Sequence, residues 1–300
     1  MQHTTSQTPA TGELVGSFRY GKAFKVFMVI FSLGLIALAG FMLYLGSTLP
    51  ASGPVSLTSS RGTTLNFSDP ATLTYFTSGL LVFFALALLG LYAWHSRMRK
   101  GSYELYENGI AHTLHGERTY VPFTEIEDLY LFSSGQAAFT GLITNLAYRR
   151  NPGEPFNRVI EALKGFHHFQ HQFRELYLNA RQPQVWNTLQ AGGTVTFNCI
   201  ENAEVWRKRV SGNFLDVQTQ PLVLSRDYLQ VQGRQISIAA LRSMDHSNWT
   251  EKVTIKDAAG NVVFSTISTG ILSTDLFLNT LGLLMEAPAE DPSQAATSLA

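Results

Sequence analysis

Three closely spaced histidines are the residues of this chain whose types and spacing could most directly do chemistry. They lie in GFHHFQHQFREL, residues 165–176, as His167, His168 and His171. On a helix, His168, His171 and Glu175 project to one side and could share a metal ion. No glutamate stands between two histidines in the HExxH pattern of zinc peptidases, so that chemistry is not predicted.

The apolar residues of the same stretch indicate how its helix is oriented. At about 100° per residue, one face carries Phe166, Phe169, Phe173, Leu176, Tyr177 and Ala180. This stripe predicts a helix over residues 166–180 that docks on a sheet. His167 and His171 fall opposite the stripe and His168 lies to one side. The interpretation is a polar face turned to solvent, with a metal site or a pH-responsive surface as the alternatives.

The other motifs in the sequence do not indicate an enzyme. The chain contains no GxSxG, Walker loop, GxGxxG or CxxC sequence, which mark common classes of hydrolase, NTPase, dinucleotide enzyme and thiol redox protein. Its single cysteine, Cys199, cannot form an internal disulfide, which fits a small buried residue in a reducing compartment. The 22 basic and 22 acidic residues balance, which argues against a nucleic-acid binder. We therefore expect no catalytic residue and no cofactor.

Two long uncharged stretches, residues 26–45 and 73–94, predict membrane-spanning helices. At ~1.5 Å rise per residue, each is long enough for a hydrocarbon core of ~30 Å. Charged residues make up only 15% of the chain, below the ~25% typical of soluble domains. Neither stretch contains a charged residue or a histidine, so the pair is interpreted as an anchor rather than as a transport path.

Basic residues beside the two stretches predict their orientation. The flanking cations are Arg19, Lys22 and Lys25 before the first stretch and Arg97, Arg99 and Lys100 after the second. The intervening loop, residues 46–72, contains one basic residue, Arg61. The positive-inside rule therefore places both termini in the cytoplasm and the loop outside. We expect a multi-pass protein of the cell inner membrane, in contact with the lipid bilayer.

The part of the chain after the second span alternates between short strands and turns. Residues 108–129 align with residues 226–244. In this alignment Val121, Phe123, Ile126 and Leu129 match Ile236, Ile238, Leu241 and Met244. Each half also ends in one helical stretch. The sequence therefore predicts an internal repeat of strands closed by a C-terminal helix.

These strand–turn–strand sequences resemble bacterial PH-like domains. The likeness is carried by YELYENGIA…VPFTEIEDL in the first half and by LVLSRDYLQVQG…ISIAALRSM in the second. The layout also resembles an uncharacterised bacterial family of membrane-anchored proteins, in which two spans precede two PH-like units. The resemblance implies an α+β membrane protein with a two-helix transmembrane hairpin followed by two PH-like units, each a bent antiparallel sheet with a C-terminal helix. It supplies no catalytic residues.

The expected domain boundaries follow from this layout. Residues 1–22 are expected to form a disordered cytoplasmic tail, and residues 23–100 the transmembrane hairpin. Residues 101–182 are expected to form the first PH-like unit and residues 183–286 the second. The small polar residues of 287–300 predict another disordered tail.

Basic residues around one tryptophan are the best candidates for a binding surface. They lie in VWRKRV, within a stretch of the second unit that is expected to be an extra hairpin or a long loop. The candidate lipid-binding residues are Trp206, Arg207, Lys208 and Arg209, with Arg149 and Arg150 before a turn of the first unit. Near a bilayer, each basic residue contributes about 1 kcal/mol to the binding of anionic headgroups. The alternative is an ordinary solvated strand.

The function predicted from these features is that of a non-enzymatic integral membrane protein. It would present tandem PH-like units at the cytoplasmic face to an unknown protein partner or to anionic lipid headgroups. The alternative is a metal-dependent sensor or enzyme that uses His167, His168 and His171.

Overall fold

The computed structural model describes residues 11–21, 23–48, 53–60, 62–98, 101–114, 116–133, 142–211, 213–247 and 252–286. The expected tail at 287–300 lies outside this range, as do the first ten residues of the expected N-terminal tail. The chain divides into two compact units. The smaller unit is residues 20–101, and the larger unit is residues 1–19 together with residues 102–300.

Two long helices dominate the smaller unit. Helix α1 spans Ala23–Thr48 and helix α2 spans Pro70–Met98. Within them, Val26–Thr48 and Pro70–Trp94 are long and apolar enough to cross a membrane. Only 17% and 11% of the respective apolar windows are buried. A core helix of a soluble protein would bury most of its apolar surface, so these two helices do not have that character.

Small residues let α1 and α2 approach each other. Ala39 of α1 and Ala85 of α2 are buried. The Ser78 hydroxyl donates a hydrogen bond to the Ala39 carbonyl at 3.1 Å. A Cβ atom at Gly46 would collide with the Thr74 side chain. Close packing of this kind through small residues is typical of helix pairs in membranes.

A β-hairpin connects the two helices. Strand β2 spans Val55–Thr58 and pairs antiparallel with strand β3, Thr64–Phe67. The loop between the predicted spans therefore contains regular structure that the sequence analysis did not predict.

The larger unit begins with a strand that precedes the helices. Strand β1, Leu14–Arg19, pairs antiparallel with strand β4, Gly101–Tyr106. Residues 14–19, expected to belong to a disordered tail, are thus the edge of a sheet. Strands β5, Gly109–Leu114, and β6, Glu117–Pro122, complete this sheet in the order β1-β4-β5-β6.

A three-stranded sheet and a helix complete the first half of the larger unit. The sheet contains β7, Asp128–Phe132, β8, Asn145–Arg149, and β9, Asn157–Ile160, in that order. Helix α3 follows at Phe166–Gln190. Its last turns are held by the buried side chains of Val185 and Leu189. The expected domain boundary at residue 182 falls inside this helix.

Aromatic contacts dock α3 on the sheets, as its apolar stripe predicts. Phe169 and Phe173 are fully buried. The Phe169 ring meets Phe18 of β1 edge-on at 5.2 Å, and the Phe173 ring meets Phe123 at the same distance. These edge-to-face pairs stabilise a core beyond the burial of apolar area alone.

The second half of the larger unit has the same order of strands and helix. Its elements are β10 (Val195–Ile200), α4 (Asn202–Ser211), β11 (Thr219–Leu224), β12 (Tyr228–Val231), β13 (Arg234–Ser237), β14 (Leu241–Ser247), β15 (Lys252–Asp257), β16 (Val262–Ile267) and α5 (Thr274–Glu286). The strands form two sheets, β10-β11-β12-β13 and β14-β15-β16. Outside helices α1 and α2, the chain is thus α+β, with mainly antiparallel sheets.

Helix α4 replaces the hairpin, loop or strand that the sequence predicted around VWRKRV. The helical state places Val205 in the core, where its side chain is 2% exposed. It also brings Glu204 and Lys208, four residues apart, within ion-pair distance at 4.0 Å, the arrangement that stabilises helices. The alternation of apolar and basic residues in this short segment is therefore not that of a strand.

Candidate functional site

A shared apolar core joins the two halves of the larger unit. The buried residues of this cluster are Tyr130, Phe132 and Ala147 from the first half and Ile200, Val205, Phe214, Ile267 and Leu272 from the second. The rings of Phe132 and Phe214 stack with their centroids 5.2 Å apart. Because burial of apolar area stabilises at about 25 cal/mol per Å², a mixed core of this kind holds the halves together as one body.

A buried serine hydroxyl adds a polar link to this junction. Ser273 stands just before α5, with a left-handed backbone of φ 56°. Its Oγ accepts hydrogen bonds from the Tyr177 hydroxyl at 2.8 Å and from the Leu129 N–H at 3.1 Å, and donates to the Glu127 carbonyl at 2.9 Å. Burial raises the pKa of Tyr177 to about 12, so the phenol stays protonated as the donor.

A buried ion pair lies next to this serine along β7. The Arg149 Nε donates to Asp128 at 2.6 Å, and their side chains are only 9% and 2% exposed. Asn198 of the second half donates to the other Asp128 oxygen at 2.8 Å. Arg149 also stacks on the Phe156 ring at 4.3 Å. Arg149, predicted as a lipid-binding residue, is therefore buried and bound to other residues of the protein.

Helices α3 and α5 are joined by a third polar link. Arg174 donates two hydrogen bonds to Asp275, at 2.6 and 2.7 Å. The parallel geometry is that of a bidentate guanidinium–carboxylate pair, which fixes orientation as well as distance. Together the three polar links and the apolar core hold the two halves of the larger unit to each other.

Two basic residues of the predicted surface on α4 lie near carboxylates. The exposed Arg207 lies 3.8 Å from Glu204. Lys208, whose side chain is 12% exposed, lies 4.0 Å from Glu204 and 3.4 Å from Asp216. Arg207 and Lys208 therefore share the two carboxylates of Glu204 and Asp216.

Arg150, another member of the predicted surface, has carboxylate partners of its own. Arg150 pairs with Glu154 at 2.9 Å and lies 3.7 Å from Glu125. These partners hold the pKa of Arg150 above its usual value. The side chains of Trp206 and Arg209 lie outside the described residues, so their roles stay predictions.

The three clustered histidines, His167, His168 and His171, are exposed on α3. His171 has a side chain 81% exposed, with its Nδ1 3.7 Å from Glu175. The ring of His168 lies 6.1 Å from that of Phe18. Among the described residues, no group of three or more His, Cys, Asp and Glu side chains could hold a metal ion. The exposed positions of His167, His168 and His171 agree with the polar face predicted from the helical spacing.

A cleft at the start of α4 is a candidate binding feature that the sequence analysis missed. Its volume is about 350 Å³. The wall is formed by Cys199, Ile200, Leu222, Val231 and Phe264, and the exposed mouth by Glu201, Gln220, Gln232 and Ser265. The mouth carries amide groups and one carboxylate, and none of its residues is basic. These side chains come from β10, β11, β12 and β16 and from the residues that directly follow β10 and β12, so no local motif marks them.

The cysteine in this cleft does not have the character of a nucleophile. Cys199 is buried, and burial raises the pKa of its thiol to about 11. A thiol of that pKa is almost entirely protonated at neutral pH, whereas reactivity requires the thiolate.

None of the protein-family models, curated proteins and solved structures compared with the chain matches it.

Proposed function

We propose that this chain is a two-span membrane anchor that holds two PH-like units at the cytoplasmic face of the inner membrane, where they bind a protein partner. In this proposal the chain has no catalytic role. The arrangement of the sheets, the position of the helices in the chain and the charges around the cleft each support one part of it.

The element order supports the assignment of two PH-like units. Each half contains a four-stranded sheet, a three-stranded sheet and one C-terminal helix. The same aromatic contact recurs in both: Phe18 of β1 meets Phe169 of α3 at 5.2 Å, and Phe197 of β10 meets Phe277 of α5 at 5.3 Å, both edge-on. Corresponding packing of first strand and last helix is expected of an internal repeat.

Each proposed unit carries an insertion at the same place. In the first unit, the helices α1 and α2 separate the first strand from the second. In the second unit, α4 stands between β10 and β11. The anchor is therefore proposed as an insertion into a PH-like unit rather than a segment that precedes it.

The pairing of β1 with β4 is the observation that carries the membrane arrangement. The two strands flank the helices in sequence and are neighbours in one sheet. If both helices span the bilayer, strands that pair with each other must lie on the same side of it. This requirement agrees with the basic residues on both flanks, which favour the cytoplasmic side.

The charges of the described side chains favour a protein partner over lipid headgroups. Arg149 is buried against Asp128, and the exposed Arg207 and Arg150 each lie near carboxylates. The cleft mouth offers amides and a carboxylate, which suit peptide groups and uncharged or cationic side chains better than phosphates.

Exchange of the backbone amides in nanodiscs tests the choice between lipid and protein. We expect deuterium uptake by residues 202–211 of the full chain to be the same in zwitterionic and in anionic nanodiscs. A photo-crosslinking residue at Gln232, at the cleft mouth, should capture a discrete protein in cells, whereas one at the exposed Gln235 of β13 should not. Protection that appears only in anionic discs and is lost in an Arg207→Gln/Lys208→Gln variant would instead favour headgroup binding.

A further inference from the structure

The β-hairpin between the spanning helices has one apolar face and one polar face. Paired residues of an antiparallel ladder point to the same side, and the side alternates along each strand. The pairs Val55–Phe67 and Leu57–Leu65 therefore share one face, and the pairs Ser56–Asn66 and Thr58–Thr64 share the other. The two hydroxyls of the last pair are 3.2 Å apart, within hydrogen-bond distance.

The apolar face has little protein covering it within the described residues. Leu57 and Leu65 are 48% and 51% exposed. Phe67 packs on Phe76 of α2 at 5.5 Å, and Phe76 is itself 52% exposed. The apolar face of the hairpin thus continues the exposed apolar surface at the start of α2.

The neighbouring residues are those expected where a helix leaves a bilayer. Tyr44 near the end of α1 and Tyr75 near the start of α2 are 65% and 64% exposed, and tyrosines are enriched at membrane–water interfaces. Only Ser68 and Asp69 separate β3 from α2, and Asp69 accepts a hydrogen bond from the Thr72 N–H at 2.7 Å. Arg61 and Asp69 are the only charged residues from 49 to 72.

We propose that this β-hairpin lies on the outer surface of the same bilayer, with Leu57 and Leu65 inserted at the boundary between headgroups and acyl chains. The inference rests on the proposed membrane anchoring. Lipid is the occupant because the face continues the lipid-facing surface of α2 and carries no charge. A two-stranded hairpin is at best marginally stable alone in water, so burial of its apolar face in the interface also stabilises its strands.

Spin-label accessibility in liposomes tests this placement. In full-length protein with Cys199→Ala, single variants Leu57→Cys and Leu65→Cys probe the apolar face, and Ser56→Cys and Asn66→Cys are the matched controls on the polar face. Phe83→Cys, in the middle of α2, reports whether the helix is in lipid. We expect the ratio of oxygen to nickel-chelate collisions to be several-fold higher at 57 and 65 than at 56 and 66.

The reference position separates the two ways in which the inference can fail. Equal, nickel-accessible labels at all four hairpin positions, with Phe83→Cys still in lipid, would overturn the hairpin placement and leave the anchoring intact. Labels at 57 and 65 shielded from both reagents would show a protein cover and would also overturn it. A nickel-accessible label at position 83 would contradict the anchoring itself.

Discussion

The hydroxyl of Ser273 holds a left-handed backbone in place by serving three partners at the junction. At the corresponding point before α3, the first half has Gly165 with φ 76°. We predict that Ser273→Ala, which loses the hydrogen bonds and keeps the unfavourable φ, costs about 2 kcal/mol of unfolding free energy. Ser273→Gly loses the same bonds but relieves about 1 kcal/mol of strain, so it should be the milder change in denaturant titrations of the full chain in micelles.

The matched control for this pair is Gly165→Ala. A Cβ atom there would lie 3.9 Å from the Phe18 ring, which is ordinary contact. The loss of unfolding free energy should therefore come only from the left-handed backbone at this residue, about 1 kcal/mol. If Ser273→Gly proved as harmful as Ser273→Ala, the left-handed backbone at this serine would not be under strain.

The buried His112, which is not one of the three clustered histidines of α3, makes the free energy of unfolding depend on pH. His112 Nδ1 lies 2.9 Å from the Tyr148 hydroxyl, and burial lowers the pKa of His112 below its usual 6.5. Below that usual value the unfolded chain binds more protons than the folded chain, so stability falls as the pH drops. We predict that the denaturant concentration at the midpoint of unfolding is lower at pH 5.5 than at pH 7.5. This decrease should be smaller in His112→Gln. An equal decrease in both proteins would assign the effect to other groups.

At the scale of elements, the period of the sequence predicted α3 from Phe166 to Ala180, because six apolar positions follow one helical face. The helix continues to Gln190, which this stripe did not predict. The strand β1 could not be predicted in the same way. Only Phe18 among its six residues is buried, so no alternation marks it, and its partner strand lies beyond both spanning helices. Helix α4 was missed because its short apolar–basic pattern fits a strand equally well. What decides its state is the burial of Val205 in a core built from distant residues.

The candidate sites show the same division between local and distant information. The exposed histidine face follows from spacing within one helix. The burial of Arg149 depends on Asp128 and on Asn198. Both are distant from Arg149 in sequence, so no local pattern could predict that this arginine is buried. The cleft combines side chains from several strands, so no local sequence pattern could predict it either.

At the scale of the whole molecule, we propose that the anchor is inserted between the first two strands of a PH-like unit. The register places Ser17 opposite Glu104, and directly paired residues of antiparallel strands have Cα atoms ~5 Å apart, within disulfide reach. Thr119 lies on β6, at the far edge of the same sheet, about 14 Å from β1 at ~4.8 Å per strand.

Disulfide trapping in membranes tests this claim most directly. A Ser17→Cys/Glu104→Cys chain with a protease site in the loop 46–72 would be oxidised in isolated membranes and then cut. We predict that the two fragments stay joined on a non-reducing gel and separate on reduction, whereas those of Ser17→Cys/Thr119→Cys separate at once. Fragments of the first variant that separate without reduction would contradict the pairing of β1 with β4 and the arrangement of the anchor built on it.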